Sequence, residues 1–147
     1  MMTTSKATDE AQIRTLIENW AKALRAKNVD AVMSIYAPEF LAFDLAPPLQ
    51  HRVEAYRKGL EEWFPTFRGP IGCEIRDLAV TVSNDVAFSY SLNRLTGKRT
   101  TGEEVDVWVR ATVCFRKIDG QWKVAHEHVS VPFYMDGSFR AAVDLTP

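Results

Sequence analysis

The chain has 147 residues, 46% hydrophobic and 25% charged, with a formal net charge of −1. That balance describes one soluble globular domain with a single sizeable core and excludes a disordered chain. A charge near zero gives no bulk attraction to nucleic acid or an anionic membrane, and no apolar run approaches the ~20 residues that span a bilayer.

The N-terminal run "MMTTSKATDEAQ" has no apolar core of a secretory signal. Cys73 and Cys114 stand in no CxxC or CxxH motif and read as reduced core thiols, as in a cytoplasmic protein. One domain over residues 1–147 is expected, with a short flexible stretch at 1–7.

"TDEAQIRTLIENWAKALRAKN" places Ile13, Leu16, Ile17, Trp20, Ala23 and Leu24 at helical spacing, with Asp9 and Gln12 as a capping box. "VDAVMSIYA" forms a short second helix capped by Asn28 and stopped before Pro38. "FLAFDL" is a short strand closed by Pro47-Pro48. "HRVEAYRKGLEEWFPTF" resumes helical spacing until Pro65. Strands follow: "IGCEIRDLAVTV" and "VAFSYSLNRLTG", joined by a turn at Ser83-Asn84-Asp85, then "EEVDVWVRATVCFRK". The last turns at Asp119-Gly120 into "QWKVAHEHVSV", a strong hairpin signal. Helices first and antiparallel strands after make an α+β fold, with the helices on one face of a twisted sheet.

Alternation along the strands sorts the side chains. Asp106, Trp108, Arg110, Thr112 and Cys114 share one face, and Val105, Val107, Val109, Ala111, Val113 and Phe115 the other. In the last strand Trp122, Val124, His126, His128 and Ser130 go together, and Glu127 points away from both histidines. A regular hairpin sets His128 opposite Ala111; a bulge sets it beside Arg110 or Thr112. The bulged register gathers Asp106, Trp108, Arg110, His126, His128 and Ser130 on one surface. That polar surface is expected to line a covered pocket, with the aliphatic surface packed on a second sheet in a homodimer.

The opening helix with Trp20, "MSIYAPEFLAFDLAPPL", "LEEWF", "VWVRATVCFRKIDGQW" and "HEHVSVPF" together resemble the NTF2-like superfamily, in its SnoaL-like and ketosteroid isomerase homologue branch. The resemblance covers roughly Asp9 to Asp144. It implies a cone of three N-terminal helices packed on a strongly curved antiparallel sheet, an apolar pocket between them, and a homodimer. The family hosts isomerases, cyclases, dehydratases and non-catalytic binding domains, so fold alone selects no reaction.

Within such a pocket His126 and His128 have three readings: metal ligands lacking an assured third partner, acid/base groups needing no cofactor, or anchors of the last strand. Arg110 binds a ligand carboxylate or pairs internally with Asp44 or Asp106. Asp44, between Phe43 and Leu45, is a general base raised by desolvation or a paired carboxylate. The catalytic candidates are therefore Asp44, His126, His128 and Arg110, with Trp20, Tyr36, Phe40, Trp63, Trp108 and Ser130 lining the pocket. Glu127 is expected to be solvated or at the dimer interface, and His51 to open a helix without a specific role. The expected function is cofactor-independent proton transfer on a small apolar carbonyl compound, with no metal. The alternative is a non-catalytic ligand-binding or assembly domain.

Overall fold

The computed structural model describes the backbone of residues 2–147 and the side chains from Ser5 onward. Helix α1 (Met2–Arg25) is followed by α2 (Val29–Met33), β1 (Tyr36–Phe43), β2 (His51–Arg52) and α3 (Val53–Trp63). A single 3-10 turn at Phe64–Thr66 leads into β3 (Phe67–Ser83), β4 (Val86–Arg99), β5 (Glu104–Ile118) and β6 (Gln121–Ser130). The strands form one sheet in the order β2-β1-β6-β5-β4-β3. All pairs are antiparallel except β1 with β6. The expected α+β architecture is present, and no helix among the described residues is long and apolar enough to cross a membrane.

Local signals act where they were expected. The Asn28 side chain accepts from the Ala31 amide at 3.1 Å and starts α2. Asn84, Asp119 and Gly120 hold φ of 46°, 51° and 78°, the left-handed backbone that tight hairpins need. The second helix is shorter than its sequence pattern: it stops at Met33, and Tyr36 already belongs to a strand. Tertiary pairing of β1 with β6 wins there, and Pro38 is exposed with Glu39 at a register shift in the strand, between the buried Tyr36-Ala37 and Phe40.

The capping-box expectation at Asp9 is wrong. Helix α1 begins at Met2, so Asp9 is not at its N-terminus, and Met1 lies outside the described residues. Asp9 sits within the helix and reaches the sheet. Its Oδ1 accepts from Trp122 Nε1 and from Lys117 Nζ, each at 3.0 Å. The Trp122 bond first, and the Lys117 bond second, hold the Asp9 carboxyl below its usual range. At its other end α1 is tied to β3 by Arg25, which donates to the Cys73 carbonyl at 2.8 and 3.0 Å. Between these ties Ile13, Ala21 and Leu24 are buried in the core with Phe40, Phe64, Ile71 and Val124.

Asp9→Ala should lose about 1–3 kcal/mol at neutral pH, because the buried Trp122 indole is left without an acceptor. A depressed carboxyl contributes stability above its ordinary pKa and loses it as pH falls through the lowered one. Denaturant titrations between about pH 6 and about pH 3 should therefore show wild type losing stability toward acid more steeply than the variant.

Candidate functional site

A cavity of about 920 Å³ opens between the helices and the concave face of the sheet. That size suits a drug-sized, mainly apolar ligand. Leu16, Ile17 and Trp20 of α1 and Tyr56, Leu60 and Trp63 of α3 form one side; Val109, Ala111, Val113 and Phe115 of β5 form the floor. The segment Asp44–Pro48 and His51 line it as well.

The floor is the aliphatic face of β5, so the expected assignment of faces is reversed. The cause is in β6. Near the turn the pairing is Ile118 with Gln121 and Phe115 with Val124; beyond it Cys114 pairs with His126 and Thr112 with His128. Ala125 is the extra residue, a bulge that changes the parity of the strand. Trp122 and Val124 point inward before it, and Glu127 and Val129 point inward after it. The shifted register does gather Trp108, Arg110, His128 and Ser130 on one surface, but that surface is the outer one.

Glu127 is consequently the carboxylate of the cavity rather than a solvated residue. It is 6% exposed. Its Oε1 accepts from the Tyr36 hydroxyl at 2.9 Å and its Oε2 from the Tyr56 hydroxyl at 3.1 Å. Burial pushes its carboxyl up to about 7; the two phenol bonds pull the other way, and the negative charge of Asp44 adds to the rise. Burial, and then the charge of Glu127, push both phenols well above their usual value, so they remain donors. Phe40 packs at 4.2 Å from the Tyr36 ring and 5.3 Å from the Tyr56 ring and fixes both. The group is a carboxyl raised toward neutral pH, held by two neutral donors in an apolar chamber, which is what a general base or acid needs.

The sequence profile of the SnoaL-like domain matches residues 13–134. The chain belongs to the SnoaL-like family. A solved NTF2-like protein of unknown function from Pseudomonas putida is 35% identical over 96% of this chain and 98% of that one, with a TM-score of 0.86. An inferred scytalone dehydratase from Novosphingobium aromaticivorans superposes with a TM-score of 0.81 at 20% identity, covering 95% of each chain. A ketosteroid isomerase-like protein from Erwinia carotovora atroseptica gives a TM-score of 0.70 at 20% identity over 82% of this chain and 93% of that one. The last two share the fold. A search of curated proteins returned no significant match.

Of the residues singled out in this SnoaL-like sequence, Trp20, Trp63 and Asp44 line the cavity, and Asp44 is exposed at its mouth. Tyr36 and Phe40 lie behind the wall and act on the cavity through Glu127 and Tyr56. The expectation that Trp108, Arg110, His126, His128 and Ser130 face the pocket is corrected. Trp108 stacks outside between Arg76 and Arg94, whose guanidinium carbons are 5.1 and 5.9 Å from its ring centre. Arg110 is exposed, and its Nε donates to Ser130 Oγ at 3.1 Å. Neither acid foreseen for it is its partner: Asp106 takes Arg94 in a two-bond fork at 2.8 and 2.9 Å. His126 Nδ1 lies 2.6 Å from the Leu41 carbonyl, and Phe43 packs edge-on against both histidine rings. Among the described residues no three His, Cys, Asp or Glu side chains cluster as metal ligands.

Glu127 and His51 were missed. Alternation turned Glu127 away from the histidines correctly; it could not tell which side was the cavity. The one available signal was the short polar step "AHEH" interrupting an otherwise alternating strand.

Glu127 has a raised folded pKa, so the folded state binds a proton that the unfolded state releases. The contribution of Glu127 to stability should fall as pH rises from about 4.5 to about 7 and then level. Glu127→Gln should abolish that slope in a urea titration series. Tyr56→Phe removes a donor to the carboxylate and should move the Glu127 midpoint, followed by carboxyl NMR, still higher.

Proposed function

We propose that this SnoaL-like protein is a cofactor-independent proton-transfer enzyme of isomerase or dehydratase type, acting on a mainly apolar carbonyl compound. The observation that carries the reading is the Glu127 carboxyl, buried in the cavity and poised at about 7. As carboxylate it takes a proton from the carbon next to the substrate carbonyl. The C–H electron pair becomes the enolate double bond, and negative charge moves to the carbonyl oxygen. Tyr56 gives its one hydroxyl proton to Glu127 Oε2 in the resting site; as Glu127 takes the substrate proton and loses its charge, that hydroxyl turns to the developing oxyanion. The protonated Glu127 then returns the proton to another carbon in an isomerisation, or to a departing hydroxyl in a dehydration. Asp44 tunes the base through its charge.

Exchange of the α-hydrogens of enolisable ketones in deuterated water tests this. Wild-type exchange should rise with pH through about 7 and level above it. Glu127→Gln should lower it by ~10²-fold or more, and Asp44→Asn should move the midpoint down. Arg110→Ala and His128→Ala, on the other face, should leave it unchanged. Exchange that persists in Glu127→Gln sinks the assignment.

The same reading includes a homodimer formed through the outer face of the sheet. Val86, Phe88 and Tyr90 of β4 stand exposed there in alternation, an apolar strip that water disfavours. Sedimentation should give a dimer at micromolar concentration, and Phe88→Asp with Tyr90→Asp should give a monomer; a wild-type monomer overturns this. Two free thiols, Cys73 and Cys114, fit a reducing, cytoplasmic compartment.

A further inference from the structure

The inner face of β4 carries polar groups that the proton-transfer chemistry does not use. Ser89, Ser91 and Asn93 alternate along it and all line the cavity. Ser89 is 2% and Asn93 7% exposed. The Ser91 hydroxyl donates to Asn93 Oδ1 at 2.7 Å. That bond takes the amide oxygen, and the NH2 group, with no acceptor among the described residues, opens on the cavity. A donor that faces a cavity with no protein acceptor is free to meet an acceptor oxygen brought by a ligand. The sheet neighbours of Asn93 are Ile75 on β3 and Val109 on β5, both apolar. No cation flanks the amide in its row, and a carboxylate placed there would be desolvated without a counter-charge.

Register sets this group apart from the base. Glu127 pairs with Val113, and Val113 with Ser89, so Ser89 lies in the row of Glu127, two inter-strand steps or roughly 10 Å away. Asn93 lies four residues further along β4, roughly 13 Å beyond Ser89 along the strand. One ligand spanning the chamber can meet the base at one end and the amide at the other.

We infer that Asn93, oriented by Ser91, is a specificity subsite for a neutral acceptor oxygen, a carbonyl, borne by the ligand at a point remote from its reacting carbon. The inference rests on the proton-transfer reading for the word "reacting" and on nothing else in it. Binding of 9-fluorenone, fluorene and fluorene-9-carboxylate, followed by quenching of tryptophan fluorescence, tests it with ligands of one shape. Fluorenone has no α-hydrogen, so its binding is independent of turnover.

Wild type should bind fluorenone roughly tenfold more tightly than fluorene, with the carboxylate weakest. Asn93→Leu should erase the preference for fluorenone while retaining fluorene binding. Ser91→Ala, which frees the amide to turn, should reduce the preference and serves as the second variant if Asn93→Leu does not fold. Tyr56→Phe should keep it. Equal affinity of wild type for fluorenone and fluorene overturns the inference, as does a preference that survives both β4 variants or is lost only in Tyr56→Phe. A wild type that discriminates these ligands yet exchanges no α-hydrogens would leave the subsite standing and remove the proton-transfer reading instead.

Discussion

One extra residue in the last strand governs the chemistry of this molecule. Strand side chains alternate with a period of two, so inserting Ala125 against the Cys114–Phe115 step exchanges inside for outside in everything beyond it. Before the bulge the strand buries Trp122 and Val124; after it the buried side chain is Glu127, while His128 is exposed. Without the bulge, continued alternation would turn His126 and His128 toward the chamber and Glu127 toward solvent. Bulges further along the sheet, between Arg68 and Gly72 and between Arg76 and Ala79, bend β3 as well. The curvature that makes a chamber and the parity change that puts an acid in it come from the same kind of irregularity.

The buried acid is held in a balance of opposed effects. Desolvation disfavours the carboxylate, and two phenol donors favour it. Asp44 at the mouth adds repulsion, and the sum leaves the group near neutrality. The phenols are fixed by packing: Tyr36, Phe40 and Tyr56 form a mutually tilted aromatic group, with the Tyr36 and Tyr56 ring centres 5.3 Å apart. Tyr36 comes from β1 and Tyr56 from α3, so the site exists only when helix and sheet are docked. The Asp9 tie to Trp122 and the Arg25 tie to β3 hold α1 over the same chamber.

The polar outer surface has a simpler account than a site. Asp106 with Arg94, Trp108 between two guanidinium groups, Arg110 with Ser130 and Phe43 against the histidines are each locally satisfied contacts at a surface. Surface pairs of this kind contribute little to stability. They keep an outward strand face ordered, next to the apolar strip of β4.

Much of this was legible along the chain. The α+β order, the Asn28 cap, the Asp119-Gly120 hairpin and the long alternating strand depend on contacts within a few residues, and those signals are written locally. The two alternating faces of β5 were also readable, as was the choice between two registers. Which face turned inward was not. A face of Val109, Ala111 and Val113 and a face of Trp108, Arg110 and Thr112 each need cover, and alternation is symmetric between the sides until a helix docks. Docking placed the helices on the aliphatic face, since burying Arg110 and the histidines there would cost far more than burying valine. So the sequence alone determined the α+β order of helices and strands and the turn of the last hairpin. Only the tertiary structure decided that Glu127, and not its neighbouring histidines, enters the chamber, because that depends on one bulge and on phenols from segments 91 and 71 residues distant.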